Sequence, residues 1–184
     1  TGNDLPGIFD LKHYLSHNVE MNVLGKLSYF LGLEITSSSE GYYLSQAKYA
    51  SDLLTWAGIT DTKTCTTPLE SNSRLTPLDG RLLDDLTLYR QLVESLIYLT
   101  VTRPDIAYAI HIVSQFISTP HSTHYTILLR ILQHIKGTLF HGLQLSAHLS
   151  LEFRAYLDAN CASDPTNHRS TTGYCFFMGG SLIS

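Results

Sequence analysis

Apolar residues recur at helical spacing in five parts of the chain. The first helix is predicted after Asp4, a residue type that can cap a helix. Its apolar positions recur at intervals of three and four residues, at Leu5, Ile8, Leu11 and Leu15. Stripes of the same period predict further helices over residues 47–57, 88–100, 104–116 and 120–137. Thr102 is a candidate cap for the fourth helix, and Gly58 and Gly137 are candidate helix ends. The stripes of the last three of these helices need a packing partner, so we expect those three helices to form a small bundle.

Other segments alternate between apolar and polar residues with a period of two. Residues 27–35 place Tyr29, Leu31, Leu33 and Ile35 on one face, and residues 41–46 follow a Ser-rich turn, which together predict a β-hairpin. Two more strands are predicted over residues 153–157 and 172–178. Residues 59–85 are rich in Thr, Ser, Pro, Asp and Gly, which is typical of a linker. The predicted fold class is α+β with a discontinuous core.

Composition narrows the range of possible functions. With 184 residues, 43% hydrophobic and 15% charged, the chain can bury a core, and wholesale disorder is excluded. No apolar run approaches the roughly 18 residues that span a bilayer, so we expect no membrane insertion. The net charge of −4 excludes a globally basic nucleic-acid binder but allows a local basic surface. Phosphate-binding Gly-rich loops, nucleophile elbows and HExxH motifs are absent from the sequence.

Cysteine usage points to a reducing compartment. Cys65, Cys161 and Cys175 are far apart and show no CxxC spacing, so neither a zinc ribbon nor a disulfide framework is indicated. The sequence starts at Thr1 and stops at Ser184 within an apolar alternation. We therefore expect a piece of a longer polypeptide.

Asp158 is the carboxylate with the clearest chemical potential. It follows a predicted strand, where a carboxylate on a rigid support can reach a metal ion. Magnesium sites need several such groups, and only Asp164 is near in sequence, so spacing alone favours a simple turn cap. His121 and His124 are expected to be a capping or solvated pair, and His134 and His141 to be surface residues.

Several motifs, in order along the chain, resemble copia-type LTR retrotransposon Pol polyproteins, particularly those of plants. They are residues 24–35 (LGKLSYFLGLEI), 44–50 (LSQAKYA), 98–106 (YLTVTRPDI), 130–132 (RIL), 136–138 (KGT) and 169–174 (RSTTGY). Such polyproteins carry a reverse transcriptase followed by a ribonuclease H. The resemblance implies that the paired catalytic aspartates of the polymerase would precede Thr1.

The resemblance also implies a domain order. Residues 1–58 would be the end of the palm, with the primer-grip hairpin and the first thumb helix, and residues 59–85 a linker. Residues 86–148 would form the helical thumb and connection, and residues 149–184 the truncated start of a ribonuclease H-like sheet.

The same resemblance implies roles for individual residues. Phe30, Leu31 and Gly32 would match the primer grip, where a strand glycine allows a second backbone to approach closely. The residues expected to contact phosphates are Lys26, Lys48, Arg103 and Arg130. Residues 86–148 have four Lys/Arg against two acids, a surplus that is compatible either with weak backbone binding or with a solvated bundle face.

Asp158 would correspond to the first metal-binding carboxylate of ribonuclease H, and the other carboxylates would lie beyond Ser184. Mg²⁺ is the expected cofactor of the parent enzyme, but one carboxylate should not bind it tightly, so we expect the chain alone to be inactive. Asn22, Cys161 and Ser163 stand where the family usually has Lys, Trp and Gly. These departures suggest drift in a degenerate copy.

The expected function is therefore primer–template handling within a retrotransposon reverse transcriptase and ribonuclease H polyprotein. The expected partners are an RNA–DNA hybrid or primer-template and the remainder of the Pol polyprotein. The expected location is the cytoplasm, in a virus-like particle, or the nucleus, without secretion. Two alternatives stay open: a non-enzymatic helical interaction module, and a functionless relic of a degenerate element.

Overall fold

The computed structural model describes residues 4–20, 27–59, 63–70, 75–148, 150–160 and 170–183. Its helices are α1 (Leu5–Asn18), α2 (Ala47–Trp56), α3 (Leu86–Leu99), α4 (Ala107–Ser114) and α5 (Ser122–Gly137), with a 3₁₀ turn at Pro104–Ile106 before α4. Its strands are β1 (Tyr29–Phe30), β2 (Leu33–Ser38), β3 (Gly41–Ser45), β4 (Leu143–Ser146), β5 (Phe153–Asn160), β6 (Thr171–Met178) and β7 (Ser181–Leu182). This mixture of helices and antiparallel sheets is compatible with the predicted α+β class. None of the described helices combines the length and the apolarity needed to cross a membrane.

The helices α2, α3, α4 and α5 share one hydrophobic cluster. Leu54 of α2, Leu96 of α3, Ile110 of α4 and Ile131 of α5 are all buried in it. The Tyr89 hydroxyl donates to the carbonyl of Val113 at 2.8 Å, and burial raises the pKa of Tyr89. The expectation of a discontinuous core is therefore wrong for α2, which packs with the bundle.

Local sequence accounts for several of the helix ends. Asp4 accepts from the backbone N–H of Gly7 at 3.2 Å at the start of α1, as predicted. Gly58 follows α2 with φ +70°, a conformation that favours glycine. At the start of α5, His124 accepts from the backbone N–H of His121 at 2.9 Å, which confirms the predicted capping pair.

The cap predicted at Thr102 is wrong. Its hydroxyl instead donates to Oε1 of the buried Gln46 at 2.8 Å, and the helical segment begins with the 3₁₀ turn. This hydrogen bond joins Gln46, the residue that follows β3, to the segment between α3 and α4.

The first sheet has the strand order β1-β2-β3-β4, and all its pairs are antiparallel. The single strand predicted over residues 27–35 is divided by a turn at Leu31 and Gly32, whose φ angles are +47° and +79°. Strand β4 was not predicted; it follows α5 and pairs with β3. A Cβ on Gly142 would lie 2.1 Å from the carbonyl oxygen of Leu44, so this close pairing requires glycine.

The second sheet has the order β5-β6-β7 and confirms the two strands predicted near the end of the sequence. Strand β7 lies against β4, where the backbone N–H of Ser146 donates to Oγ of Ser181 at 3.0 Å. This contact attaches the second sheet to the first.

The described parts of residues 59–85 contain no regular helix or strand, but they lie along α5. The backbone N–H of Cys65 donates to the carbonyl of Gln133 at 3.4 Å, and that of Leu83 donates to the carbonyl of Pro120 at 3.1 Å. Leu69 and Leu83 pack partly buried against the core. The segment therefore covers one side of the bundle.

Candidate nucleic-acid interface

The turn between β1 and β2 is held against the helical bundle by Tyr98 of α3. The phenol of Tyr98 donates to the carbonyl of Leu31, and a Cβ on Gly32 would lie 2.6 Å from the same hydroxyl. Tyr49 of α2 contacts the Tyr98 ring edge-to-face, with centroids 5.0 Å apart, and its hydroxyl donates to the carbonyl of Ser95 at 3.2 Å. The backbone of the turn is thereby fixed to α3.

Large apolar side chains are presented to solvent around this turn. Tyr29 is 60% exposed, Phe30 is 54% exposed and Leu31 is 73% exposed. Exposed aromatic faces can stack on nucleic-acid bases whatever the base sequence. Phe30, Leu31 and Gly32, which the resemblance assigns to a primer grip, lie at the tip of the β1–β2 hairpin.

Lys48 lies next to this hairpin, at the start of α2. Its backbone N–H donates to Oε1 of Glu34 on β2 at 2.7 Å, which ties the two elements together. Its ammonium lies 3.0 Å from Asp52, and the hydrogen bond and charge of Asp52 raise the pKa of Lys48. Both side chains are about two-thirds exposed or more, so the ion pair is weak and can exchange for a phosphate. We use the term hairpin surface for Tyr29, Phe30, Leu31, Gly32, Lys48 and Tyr98.

The other predicted cations lie elsewhere. Lys26 falls outside the described residues. Arg130 lies on α5, where it contacts Glu70 at 2.8 Å and Thr67 at 3.2 Å, and about a quarter of its side chain is exposed. These contacts place Arg130 beside the segment that covers the bundle.

Arg103 is buried and faces the protein interior. Its guanidinium donates to the Asp105 carboxylate at 2.9 and 2.7 Å, and to the carbonyl and hydroxyl oxygens of Thr138 at 3.0 and 2.7 Å. Only 3% of the side chain is exposed. A phosphate contact by Arg103 would require this network to open, so the structure gives it an internal role.

His134 belongs to the same network, so its prediction as a surface residue is wrong, whereas His141 is exposed as predicted. Nδ1 of His134 donates to the carbonyl of Cys65 at 3.1 Å, and Nε2 lies 3.5 Å from Asp105. Desolvation by itself would raise the pKa of Asp105, but hydrogen bonds and charge from Arg103, with a further bond from His134, lower it. The network lines an open cavity of about 590 Å³.

Asp158 lies on β5, opposite Gly173 of β6, with its side chain exposed. Within the described residues, no group of three or more His, Cys, Asp or Glu side chains is placed to hold a metal ion. Asp164, the nearest further acid in sequence, lies outside those residues. The described side chains therefore do not fit a magnesium site.

Two features of this region were not predicted from the sequence. Tyr98 docks the hairpin although it lies off the apolar stripe of α3, and Asp105 neutralises Arg103 from only two residues away. The second feature had a local signal, because Arg103 and Asp105 flank Pro104 at the start of a helical turn. The contact of Tyr98 with the hairpin joins distant parts of the chain, and no local pattern in the sequence indicates it.

Comparisons with known proteins find a matching family and several similar proteins. Residues 1–71 match the family described as reverse transcriptase (RNA-dependent DNA polymerase). An uncharacterized mitochondrial protein of Arabidopsis thaliana is 40% identical over 170 residues, which cover 92% of this chain and 70% of that protein. No solved structure matches the chain.

Pol polyproteins of plant transposons are similar over the whole chain. The retrovirus-related Pol polyprotein from transposon RE1 of Arabidopsis thaliana is 39% identical over 184 residues, and that from transposon TNT 1-94 of Nicotiana tabacum is 33% identical over 192 residues. The chain spans 13% and 14% of the length of these two polyproteins.

Proposed function

The chain belongs to the family of retrotransposon Pol polyproteins and includes part of their reverse transcriptase, and we propose that it retains the surface with which that polymerase handles a primer-template. The observation that carries this proposal is the fixed hairpin turn, which presents Phe30 and Leu31 to solvent beside an exposed lysine. The proposed ligand is an RNA–DNA hybrid or primer-template of the copia-type replication cycle.

Each part of the hairpin surface has a physical task in this proposal. Phe30 would stack on a base or sugar at the primer end and Lys48 would contact a phosphate. The absence of a side chain at Gly32 lets the Tyr98 hydroxyl lie close to the turn. Tyr98 would hold the turn in place. Arg130 is a weaker candidate because Glu70 already pairs with it, and Arg103 would act only by stabilising the fold.

The second sheet would be the start of a ribonuclease H-like domain, with Asp158 as one of its carboxylates. Magnesium would supply charge stabilisation of phosphoryl transfer in the parent enzyme. The described residues of this chain do not form that site, so we propose that the chain alone is inactive as a polymerase and as a nuclease. Its setting would be the remainder of a Pol polyprotein, in the cytoplasm or the nucleus.

Fluorescence titration of the purified chain with an RNA–DNA primer-template, at about 50 and about 200 mM salt, tests the proposal. Affinity should fall as salt rises, and Lys48→Gln should reduce the salt slope by about 0.7–0.9. Phe30→Ala should weaken binding by roughly 5- to 150-fold, which corresponds to about 1–3 kcal/mol for one base stack.

Phe140→Ala is the matched control, because Phe140 is 78% exposed but lies outside the hairpin surface. Equal losses in Phe30→Ala and Phe140→Ala, or no binding by a chain with native helical circular dichroism, would refute the proposal. The second result would favour a non-enzymatic interaction module, for which Ile97, Val101 and Tyr108 offer exposed apolar side chains on the bundle.

A further inference from the structure

His124 is fully buried at the start of α5, and both nitrogens of its ring are in hydrogen bonds. Nδ1 accepts from the backbone N–H of His121 at 2.9 Å, and Nε2 lies 3.0 Å from the backbone carbonyl of Thr76. The first partner can only donate and the second can only accept, so the ring is neutral and carries its proton on Nε2. A second proton would have to bind at Nδ1, where it would break the bond from the His121 N–H.

The surroundings of the ring disfavour that second proton. Phe116, which follows α4, stacks on the His124 ring with centroids 3.9 Å apart and carries no charge. Burial is the largest influence and lowers the pKa of His124, and the nearby His121 lowers it further. The hydrogen bond to Thr76 and the charge of Asp79 act in the opposite direction but do not compensate for burial.

The segment that His124 holds is residues 76–83, which runs along the first turn of α5. The backbone N–H of Ser122 donates to the carbonyl of Arg81 at 2.8 Å, and Oγ of Ser122 accepts from the Arg81 N–H at 3.1 Å. Gly80 lies so close that a Cβ there would be 2.4 Å from the same hydroxyl oxygen. These backbone and hydroxyl contacts do not titrate near neutral pH, whereas the bonds of the His124 ring do.

We propose that His124 is a pH-sensitive latch, which attaches residues 76–83 to the start of α5 at neutral pH and releases them in mild acid. A proton from solvent binds Nδ1, and the His121 N–H loses its acceptor. The ring is then a buried cation whose described hydrogen-bond partners are backbone groups, which cannot neutralise it. Moving the ring into water relieves that cost and breaks both the Thr76 bond and the stack on Phe116.

The direction of the shift defines the pH range in which the latch opens. The pKa of His124 in the folded protein lies below its ordinary value of 6.5. The latch is therefore complete above that value and is lost as the pH falls through the folded pKa, because the unlatched ring binds the proton more readily. Carboxylates stay ionised down to about pH 5, so the network of Arg103 and Asp105 does not respond in this range. The hairpin surface takes no part either, and the inference is independent of nucleic-acid binding.

Amide hydrogen exchange of the full chain at about pH 7.5 and about pH 5.5, with each rate divided by the intrinsic rate at that pH, tests the latch. In the wild type, protection of the Arg81, His121 and Ser122 amides should fall by about 3- to 10-fold at the lower pH, while the centre of α5 keeps its protection. His124→Gln keeps one acceptor and one donor at the same position of the helix and does not titrate. It should be protected as in the wild type at the higher pH and should retain that protection at the lower one.

His111→Gln is the matched control, because it removes an exposed histidine by the same substitution and should behave as the wild type. Equal protection of the wild type at the two pH values would overturn the inference. So would a loss in His124→Gln as large as that of the wild type.

A measurement on the wild type alone covers the case in which glutamine does not fit. Nitrogen-15 NMR of the His124 ring should show a proton on Nε2 only at about pH 7.5, and a second proton that binds in step with the loss of protection. A ring that is already charged at the higher pH, or one that stays neutral down to about pH 5, would refute the latch.

Discussion

Gly32 is subject to two constraints at once. Its φ of +79° lies in the left-handed region, and a Cβ would lie 2.6 Å from the Tyr98 hydroxyl. Gly58 shares the first constraint, with φ +70°, but has open space where a Cβ would lie. The two glycines therefore separate backbone strain from steric conflict.

Gly32→Ala is expected to destabilise the protein by about 1–3 kcal/mol, and by more than Gly58→Ala, because the alanine adds a clash to the strained backbone. Urea unfolding of both variants measures the difference in free energy. Equal losses at the two positions would show that the Tyr98 hydroxyl moves aside without cost.

Asp105 should make the free energy of unfolding depend on pH in the acidic range. Arg103 and His134 hold the pKa of Asp105 below its ordinary value of 3.8 in the folded protein, so its contribution is complete above that value. The contribution is lost as the pH falls through the folded pKa, because protonation then favours the unfolded chain. Acid should therefore weaken the fold through this network.

Asp105→Asn is expected to cost about 1–3 kcal/mol at neutral pH, because Arg103 stays buried with a weaker partner. It should also reduce the difference between unfolding free energies measured at pH 7 and near pH 3. Asp10→Asn on the exposed surface of α1 is the control for the loss of one carboxylate. An unchanged pH dependence in Asp105→Asn would contradict the role assigned to this network.

At the scale of elements, the β1–β2 hairpin depends on α3 for its position. Tyr98→Phe removes the hydroxyl that donates to Leu31 but keeps the ring against Tyr49. Amide hydrogen exchange across residues 29–35 should accelerate by about 2- to 10-fold, as expected for one hydrogen bond, while exchange in α5 stays the same. Tyr108→Phe, at an exposed position on α4, should change neither.

The elements also show what local sequence can and cannot predict. Apolar period and end signals locate the helices, because the stripe of α5 and the glycine after α2 act within a few residues. The turn at Leu31 escapes prediction because a leucine adopts φ +47° there, where hairpins usually use Asn or Gly. Strand β4 is missed because its four residues are specified by pairing with β3, far earlier in the chain.

The prediction of individual site residues is limited in the same way, because distant segments of the chain build their surroundings. Arg103 was expected to contact a phosphate because of the family resemblance, yet Thr138, which follows α5, completes a buried set of acceptors around its guanidinium. The assignment of Phe30, Leu31 and Gly32 to a primer grip came from the family resemblance and stays a prediction, although the structure places these residues at a turn and not inside one strand. A residue whose environment is built by distant segments cannot be assigned from spacing.

At the scale of the whole molecule, α2 joins the first sheet to the bundle of α3, α4 and α5. Leu53 and Leu54 of α2 are buried in the same cluster as α3 and α5, and β4 connects α5 back to β3. Trp56, the single tryptophan of the sequence, lies at the end of α2 and is about half exposed. Its fluorescence therefore reports on α2, whereas circular dichroism is dominated by the bundle helices.

If these parts share one core, they must unfold together. Urea transitions followed by Trp56 fluorescence and by helical circular dichroism should coincide. Leu96→Ala, at a fully buried position of α3, should shift both by the same amount and cost about 2–5 kcal/mol, since it leaves a cavity in the shared core. Ile97→Ala, at the next residue but 48% exposed, should shift both far less. If Leu96→Ala shifts the urea midpoint of the helical signal but not that of Trp56 fluorescence, α2 unfolds independently. The first sheet would then be a separate folding unit.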